Sequence, residues 1–380
     1  MSLRLFDSIL ELPAADWDAL HGGDNPFVRH AFLSGLEQHG CLKERWGWKP
    51  QHAAWYDGER LRAAAPAYLK GNSHGEFVFD HAWAHAYSRY GLDYYPKWLV
   101  AVPYSPVSGP RILSRDEGAR RKLVDAMRQH ADEQALPSVH VNFLPESETT
   151  AFDEAWLARC DVQFHWRNDA GWSDFDEFLG AFSSKKRKNI RAEREQVRRS
   201  GITFRQVHGD EASDEDLTAM HAFYCMTQSE KGNQPALTLD FIRHLARTMP
   251  RSLVLVLAQR GSITIAGALL LRGGQTLYGR YWGAVETVPG LHFETCYYQG
   301  IDYCLREGLR VFEPGAQGEH KIARGFLPVL THSRHHLAQP AFADALRDWC
   351  EQERSSVLRY RDQVLEHSPF REPPADPARS

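Results

Sequence analysis

No apolar run in this 380-residue chain approaches the roughly 18 residues that a membrane-crossing helix needs, so no membrane span is expected. The stretch from Met1 to Leu12 carries Arg4 and Asp7 and no long apolar core, so no secretory signal is read and a cytoplasmic protein is expected. The cysteines are few, at 41, 160, 225, 296, 304 and 350, and none stands in a Cys-x-x-Cys pair. That removes the zinc knuckle and the dithiol redox motif. Cys296 and Cys304 lie on a segment with helical spacing, which sets them about 12 Å apart, beyond disulfide reach. Reduced thiols are expected. No Gly-x-Ser-x-Gly elbow, Walker loop or Gly-x-Gly-x-x-Gly fingerprint occurs. The cysteines have apolar rather than basic neighbours, which argues against a thiolate nucleophile. With a net charge of −4, the whole surface does not attract nucleic acid, and any basic site must be local.

Aromatic residues are abundant: 11 Trp, 14 Tyr and 19 Phe, beside 19 His. At about 150 residues per domain the length predicts two domains. Leu253–Ala258 and Ile263–Leu271 are apolar runs joined by a short turn, and Gln275–Gly283 follows as a third strand-like segment. Phe293, Tyr297, Ile301, Cys304 and Leu305 share one helical face, and Arg310–Glu313 reads as a strand entering the loop Pro314-Gly-Ala-Gln-Gly318. The order is β-β-β-α-β. The first half reads similarly: a hairpin over 52–69, a strand at Glu76–Asp80, helices at Trp83–Tyr90 and Asp116–Gln134, and a strand at Val139–Phe143. Two copies of one α/β unit account for this most simply. The expected domains are 1–160 and 161–367, the second ending in a helix near 341–365, with a loose tail at 368–380.

The β-β-β-α-β order resembles the core of the Gcn5-related acyltransferase fold, and two copies in one chain resemble the FemAB-like transferases. The strings Gly75-Glu-Phe-Val-Phe-Asp80, Tyr94-Tyr-Pro-Lys97, Val102-Pro-Tyr-Ser-Pro106, Lys185-Lys-Arg-Lys-Asn-Ile190, Tyr278-Gly-Arg-Tyr-Trp-Gly283 and Glu313-Pro-Gly-Ala-Gln-Gly-Glu-His-Lys321 are similar to a bacterial branch labelled predicted N-acyltransferase or peptidoglycan-biosynthesis-like. The resemblance covers roughly residues 25 to 365. It implies an α/β (α+β) fold of tandem Gcn5-related acyl-CoA N-acyltransferase domains with mixed, largely antiparallel sheets. It also implies transfer of an acyl or aminoacyl group to an amine such as a cell-wall precursor. The link Gly283–Gly290 lacks the usual pyrophosphate-cradling loop of acetyl-CoA enzymes, and Glu286 there would repel phosphate.

Two segments carry the chemistry. Ser183–Arg199 is the most basic stretch. Arg187, Arg191, Arg194 and Arg198 fall on one helical face. Lys185, Lys186, Arg187, Lys188, Asn189 and Arg191, with Lys321, are the candidates for holding donor phosphates, from aminoacyl-tRNA or acyl-CoA; no permanently bound cofactor is expected. In the 313–324 loop, Glu319 or His320 is the candidate proton acceptor, and a Lys or Arg can stabilise an acyl oxyanion. Arg280 and Glu294 join them as catalytic candidates. Tyr281, Tyr298 and Gln317, with Asp80, Tyr104 and Arg111 of the first domain, are the candidates for binding substrate. His292 has no neighbours at metal-ligand spacing; His332 and His336 stand at i, i+4, but Pro328 and Pro340 flank the run and it has no thiolate or close carboxylate, so no metal is expected. Two other readings stay open: a conventional acyl-CoA-dependent N-acetyltransferase, and a non-catalytic RNA-binding module using the basic helix. Oligomeric state is not read from the sequence.

Overall fold

The computed structural model describes residues 1–316 and 318–371. The chain forms two compact units, Met1–Val162 with Leu330–Arg359, and Gln163–Val329 with the residues from Tyr360 onward.

In the first unit β1 (Ser2–Phe6), β3 (His52–Asp57) and β4 (Arg60–Ala65) make a small antiparallel sheet, β3 in the middle. The larger sheet runs β2 (Trp48–Pro50), β5 (Ala67–Lys70), β6 (Lys97–Val100), β7 (Ser138–Leu144) and then the later part of β14 (Leu327–Leu337). All neighbours are antiparallel except β6 and β7, which are parallel. A parallel pair needs a crossover, and the helix Glu117–Glu133 lies within it. Asp116 caps that helix through Gly118 and Ala119. Its Leu123, Val124, Met127 and Ala131 bury against Trp98, Val100, Val139 and Val141.

In the second unit the order is β9 (Ile202–His208), β10 (Leu253–Arg260), β11 (Ile263–Gly273), β12 (Thr276–Ala284), β13 (Val311–Glu313) and the later part of β8 (Leu157–Arg167). Again one pair, β12 and β13, is parallel, and the rest are antiparallel. The crossover holds one helical segment from Leu291 to Arg306. The expected β-β-β-α-β order is therefore present. Each unit has an antiparallel meander, one parallel pair spanned by a helix, and a closing antiparallel strand. Gly283 lets the helix Asp214–Glu230 lie directly on β12: a Cβ there would sit 2.2 Å from the Phe223 carbonyl oxygen.

Three expectations change. Glu76–Asp80 is not a strand, because both carboxylates turn inward to Lys97 and Phe77 adopts φ +62. The 52–69 hairpin is not the counterpart of β10–β11, since β3 and β4 belong with β1 to the separate small sheet, β3 pairing with both. The second domain is not the contiguous 161–367: residues 330–359 belong to the first unit, where β14 pairs with β7 from His332 to Leu337. The C-terminal helix is present as Pro340–Leu365. Most of the expected tail, residues 372–380, lies outside the described residues.

Candidate active site

Parallel pairing of β12 with β13 ends at Tyr278 opposite Glu313. Beyond it the two strands part. On β12, Leu269 of β11 faces Tyr281 and Leu270 faces Gly279, which leaves Arg280 as the extra residue of a bulge. Bulges re-aim side chains, and here the bulge breaks the simple two-residue alternation of β12 at Arg280. On the other strand the chain turns away at Pro314. Gly279 allows this closely: a Cβ there would lie 3.2 Å from Pro314 Cα. The carboxyl ends of parallel strands are where open α/β sheets bind ligands.

Lys321 is fixed near this opening. It lies on the 3-10 helix Glu319–Arg324 and is 2 % exposed. Its ammonium donates to the Gly315 carbonyl at 2.6 Å. Burial lowers its pKa to about 8; Cys296 and Glu313 oppose the shift and Arg280 adds to it. His320 meets the Tyr297 hydroxyl through Nε2 at 2.8 Å. Burial, with Lys321 and Arg324, pushes the His320 pKa down, so the ring is neutral near pH 7. Tyr297 stands on a π-helical turn, Glu294–Tyr298, a distortion common at functional sites. Glu319 is exposed and accepts from the Tyr360 hydroxyl at 2.6 Å. Gln317 lies outside the described residues.

A second layer of ionic contacts holds the loop. Arg324 donates to the His320 carbonyl and to Glu193, both at 2.7 Å, and lies 3.4 Å over the Phe293 ring. Tyr298 is buried and donates to the other oxygen of Glu193. Tyr281 packs edge-on against Tyr224 at 4.7 Å. These contacts occupy Tyr298 and give it a supporting place rather than a free hydroxyl for substrate.

The basic helix is Ser184–Arg199. Its expected cationic face is largely neutralised. Arg194 forms a two-pronged pair with Glu294 at 3.1 and 3.0 Å and reaches Asp302 at 2.6 Å. Arg191 pairs with Asp176, and Arg198 with Glu195. Glu294, buried and held by Arg194 and by Gln299, is an ion-pair partner and not a free base. Lys185, Lys186, Arg187 and Lys188 make no ion pair among the described residues, no acidic residue enters the first turn, and Ser183 makes no side-chain cap. Asn189 is exposed beside them. The open cations are therefore at the start of the helix.

In the first unit the expected substrate residues are mostly structural. Arg111 is fully buried and donates to the carbonyls of Val107, Gly109, Pro110 and Asn142. A guanidinium so enclosed has no face for a substrate. Tyr104 donates to the Cys41 carbonyl at 3.1 Å. Asp80 belongs to a buried cluster whose hub the sequence reading passed over: Lys97 donates to Asp80, to Glu76 at 2.6 Å and to Ser73 at 3.0 Å. Tyr94 adds a hydrogen bond to Asp80 at 2.6 Å. The signal was present, a lone lysine opening the apolar run Lys97-Trp-Leu-Val100. Among the described residues no group of three or more His, Cys, Asp and Glu is arranged to hold a metal, and no helix is long and apolar enough to cross a membrane.

The mixed α/β units place the chain in a known class of fold. It is similar to the C-terminal domain of a putative lysylphosphatidylglycerol synthetase from Agrobacterium fabrum, with 12 % identity, TM-score 0.53, and 92 % of this chain and 98 % of that one covered. It is similar to FemX, with 12 % identity, TM-score 0.51, and 90 % and 99 % covered. It is similar to L-PGS from Bacillus licheniformis, with 10 % identity, TM-score 0.52, and 91 % and 97 % covered. At such identities the likeness is one of fold. Family membership follows from the sequence: residues 8–372 match the FemAB-like family, described as peptidoglycan biosynthesis/recognition, and the chain belongs to it. No curated protein sequence matches.

Proposed function

We propose that this protein is an acyltransferase that moves an acyl or aminoacyl group from a phosphate-bearing donor, aminoacyl-tRNA or acyl-CoA, to an amine of a cell-wall precursor. Membership of the FemAB-like family supports acyl transfer in peptidoglycan biosynthesis, and the fold it shares with a lysylphosphatidylglycerol synthetase supports the wider class that includes lipid biosynthesis. The observation that carries the reading is Lys321, a buried cation fixed by the Gly315 carbonyl where β12 and β13 part.

The open cations Lys185, Lys186, Arg187 and Lys188, with the free N–H groups of the helix start, hold the donor's phosphates. A neutral amine attacks the acyl carbon. The N–C bond forms, and negative charge develops on the carbonyl oxygen, where the Lys321 ammonium stabilises it. His320, kept neutral, accepts the proton that the amine loses. The C–O bond of an aminoacyl ester or the C–S bond of a thioester then breaks, and the leaving group takes up a proton. No covalent acyl-enzyme is needed.

The test is transfer of labelled acyl groups from a charged-tRNA mixture and, separately, from acyl-CoAs onto amine-bearing cell-wall precursors. Replacing Lys185, Lys186, Arg187 and Lys188 together by Ala is expected to raise KM for the donor and flatten the salt dependence, with kcat little changed. Wild-type transfer by that variant, or RNA binding with no transfer from either donor, defeats the proposal.

A further inference from the structure

We propose that the first unit carries a separate binding pocket for the acyl chain of a lipid. The pocket is about 380 Å³. At roughly 30 Å³ per water-sized group it holds about a dozen heavy atoms. Three large aromatic side chains stand at it with much of their surface in solvent: Phe77 at 39 %, Phe79 at 57 % and Trp349 at 40 %. Exposed aromatic surface gathered around a cavity marks a binding site. Trp83 and Phe143 line it as well. Phe77 and Phe143 both adopt positive φ, +62 and +59, which costs a bulky residue free energy. Such strain collects at ligand clamps.

Most of the charged and hydroxyl groups in the lining are already engaged. Arg159 makes a two-pronged pair with Glu353 at 2.8 and 2.7 Å and donates to the Phe79 carbonyl at 3.1 Å. Its guanidinium lies 5.1 Å from the Trp83 ring and 5.2 Å from the Trp349 ring. Thr331 donates to the Asp161 carbonyl, and the Ser333 hydroxyl is bonded to His335. His81 stacks on Phe79. Burial pushes the Asp161 carboxyl up and the His332 ring down, each toward its uncharged form. The lining therefore offers little to a phosphate or to a ring of hydroxyls, and much to an uncharged chain. Among the fully buried polar atoms of the lining one donor is left over. Trp83 Nε1 is buried with no acceptor among the described residues, which suits the single carbonyl of an ester.

The experiment is isothermal titration of the full chain with 1-octanoyl glycerol at two temperatures. One saturable site with a negative heat-capacity change is expected, the mark of apolar burial. Phe79→Ser and Trp349→Ser alter exposed residues, so folding survives, checked by an unchanged Tm. Each is expected to weaken binding about tenfold, the loss of most of a ring's apolar contact. Octanoate anion is expected to bind more weakly than the ester, because the lining holds no unpaired cation. Failure of the ester to saturate, equal affinity in both variants, tighter binding of octanoate, or binding of N-acetylglucosamine or inorganic phosphate in its place each overturns the proposal. The outcome is independent of the transfer assay, since none of these residues belongs to the second unit.

Discussion

Of the three buried lysines, Lys70 and Lys97 in the first unit and Lys321 in the second, Lys97 and Lys321 meet opposite fates. Lys97 is fully buried, yet its pKa is raised, because Glu76 and Asp80 outweigh the desolvation that would lower it. Lys321 is almost as buried, but its hydrogen-bond partner is a carbonyl and not a carboxylate, and its pKa falls to about 8. Burial alone does not define a site. What separates Lys97 from Lys321 is whether a carboxylate already answers its charge. Lys97 is locked by two anions and a hydroxyl. Lys321 keeps a charge that a developing oxyanion can answer.

The largest effect expected from breaking this comparison is at Lys97. Lys97→Met leaves Glu76 and Asp80 buried without the ammonium they both contact, with Lys70 left near them. Removing one partner of a buried pair costs about 3–5 kcal/mol. A fall in the denaturation midpoint of that order, with the second unit's activity intact in the folded fraction, is the expected result. The signs by pH follow. The raised pKa of Lys97 gives stability that is present below its ordinary value and lost as pH rises through the raised one. The depressed pKa of Asp80 gives stability present above the ordinary carboxylate value and lost as pH falls through the lowered one. Glu76 acts the other way: with its pKa raised to about 7, stability declines as pH climbs from the ordinary glutamate value toward 7. A Lys97→Met protein as stable as the wild type would end the distinction drawn between the two lysines.

That distinction was only half legible in the sequence. The 253–313 stretch could be read because its apolar runs are long and its turns short. Lys321 stood in a loop dense with polar residues and glycine, so it was read as part of a site. Lys97 was not, since nothing local shows that Glu76 and Asp80 fold back onto it. The same blindness made Glu76–Asp80 look like a strand: Phe77-Val-Phe79 is an aromatic and β-branched run, but tertiary ion pairs override its preference. The bulge at Arg280 was not legible, because a bulge is a property of two strands and only one is visible at a time. The return of residues 330–359 to the first unit depends on pairing across nearly two hundred residues of chain. Family resemblance found the transferase class, and it did not separate the paired arginines of the basic helix from the open cations at its start.

Lys321 sharpens the comparison from the other side. Lys321→Met is expected to cut kcat about 100-fold, as loss of one oxyanion donor does, while leaving donor KM and the fold in place. Its pH profile tests the cause. Oxyanion stabilisation needs the protonated amine, so activity limited by Lys321 falls as pH rises through about 8. Lys321→Arg keeps its charge to higher pH and is expected to move that alkaline limb upward, even if kcat drops because the guanidinium is longer and planar. An alkaline limb that stays near 8 in the Arg variant assigns it to another group. For stability the sign is reversed. A depressed lysine pKa disfavours the fold at low pH, so stability rises as pH climbs from about 8 toward the ordinary lysine value.

The smallest effect is expected on the basic helix, where the same contrast is repeated within a few turns. Glu195 accepts from Arg198 and Arg199 at 2.7 Å and its pKa is lowered to about 2, which on paper resembles the Asp80 case. Yet both arginines are about three-quarters exposed, and water and salt screen the pair. Glu195→Gln is therefore expected to leave Tm unchanged in moderate salt. It also frees two cations on a helix proposed to hold phosphate at its other end. If those phosphates bind by the local geometry of Lys185–Lys188, donor KM stays where it was. If they bind by the summed field of the helix, KM falls and its salt dependence steepens. A drop in KM would thus show that the open first turn is not a defined subsite, and the argument that separates answered from unanswered charge would hold for buried groups only.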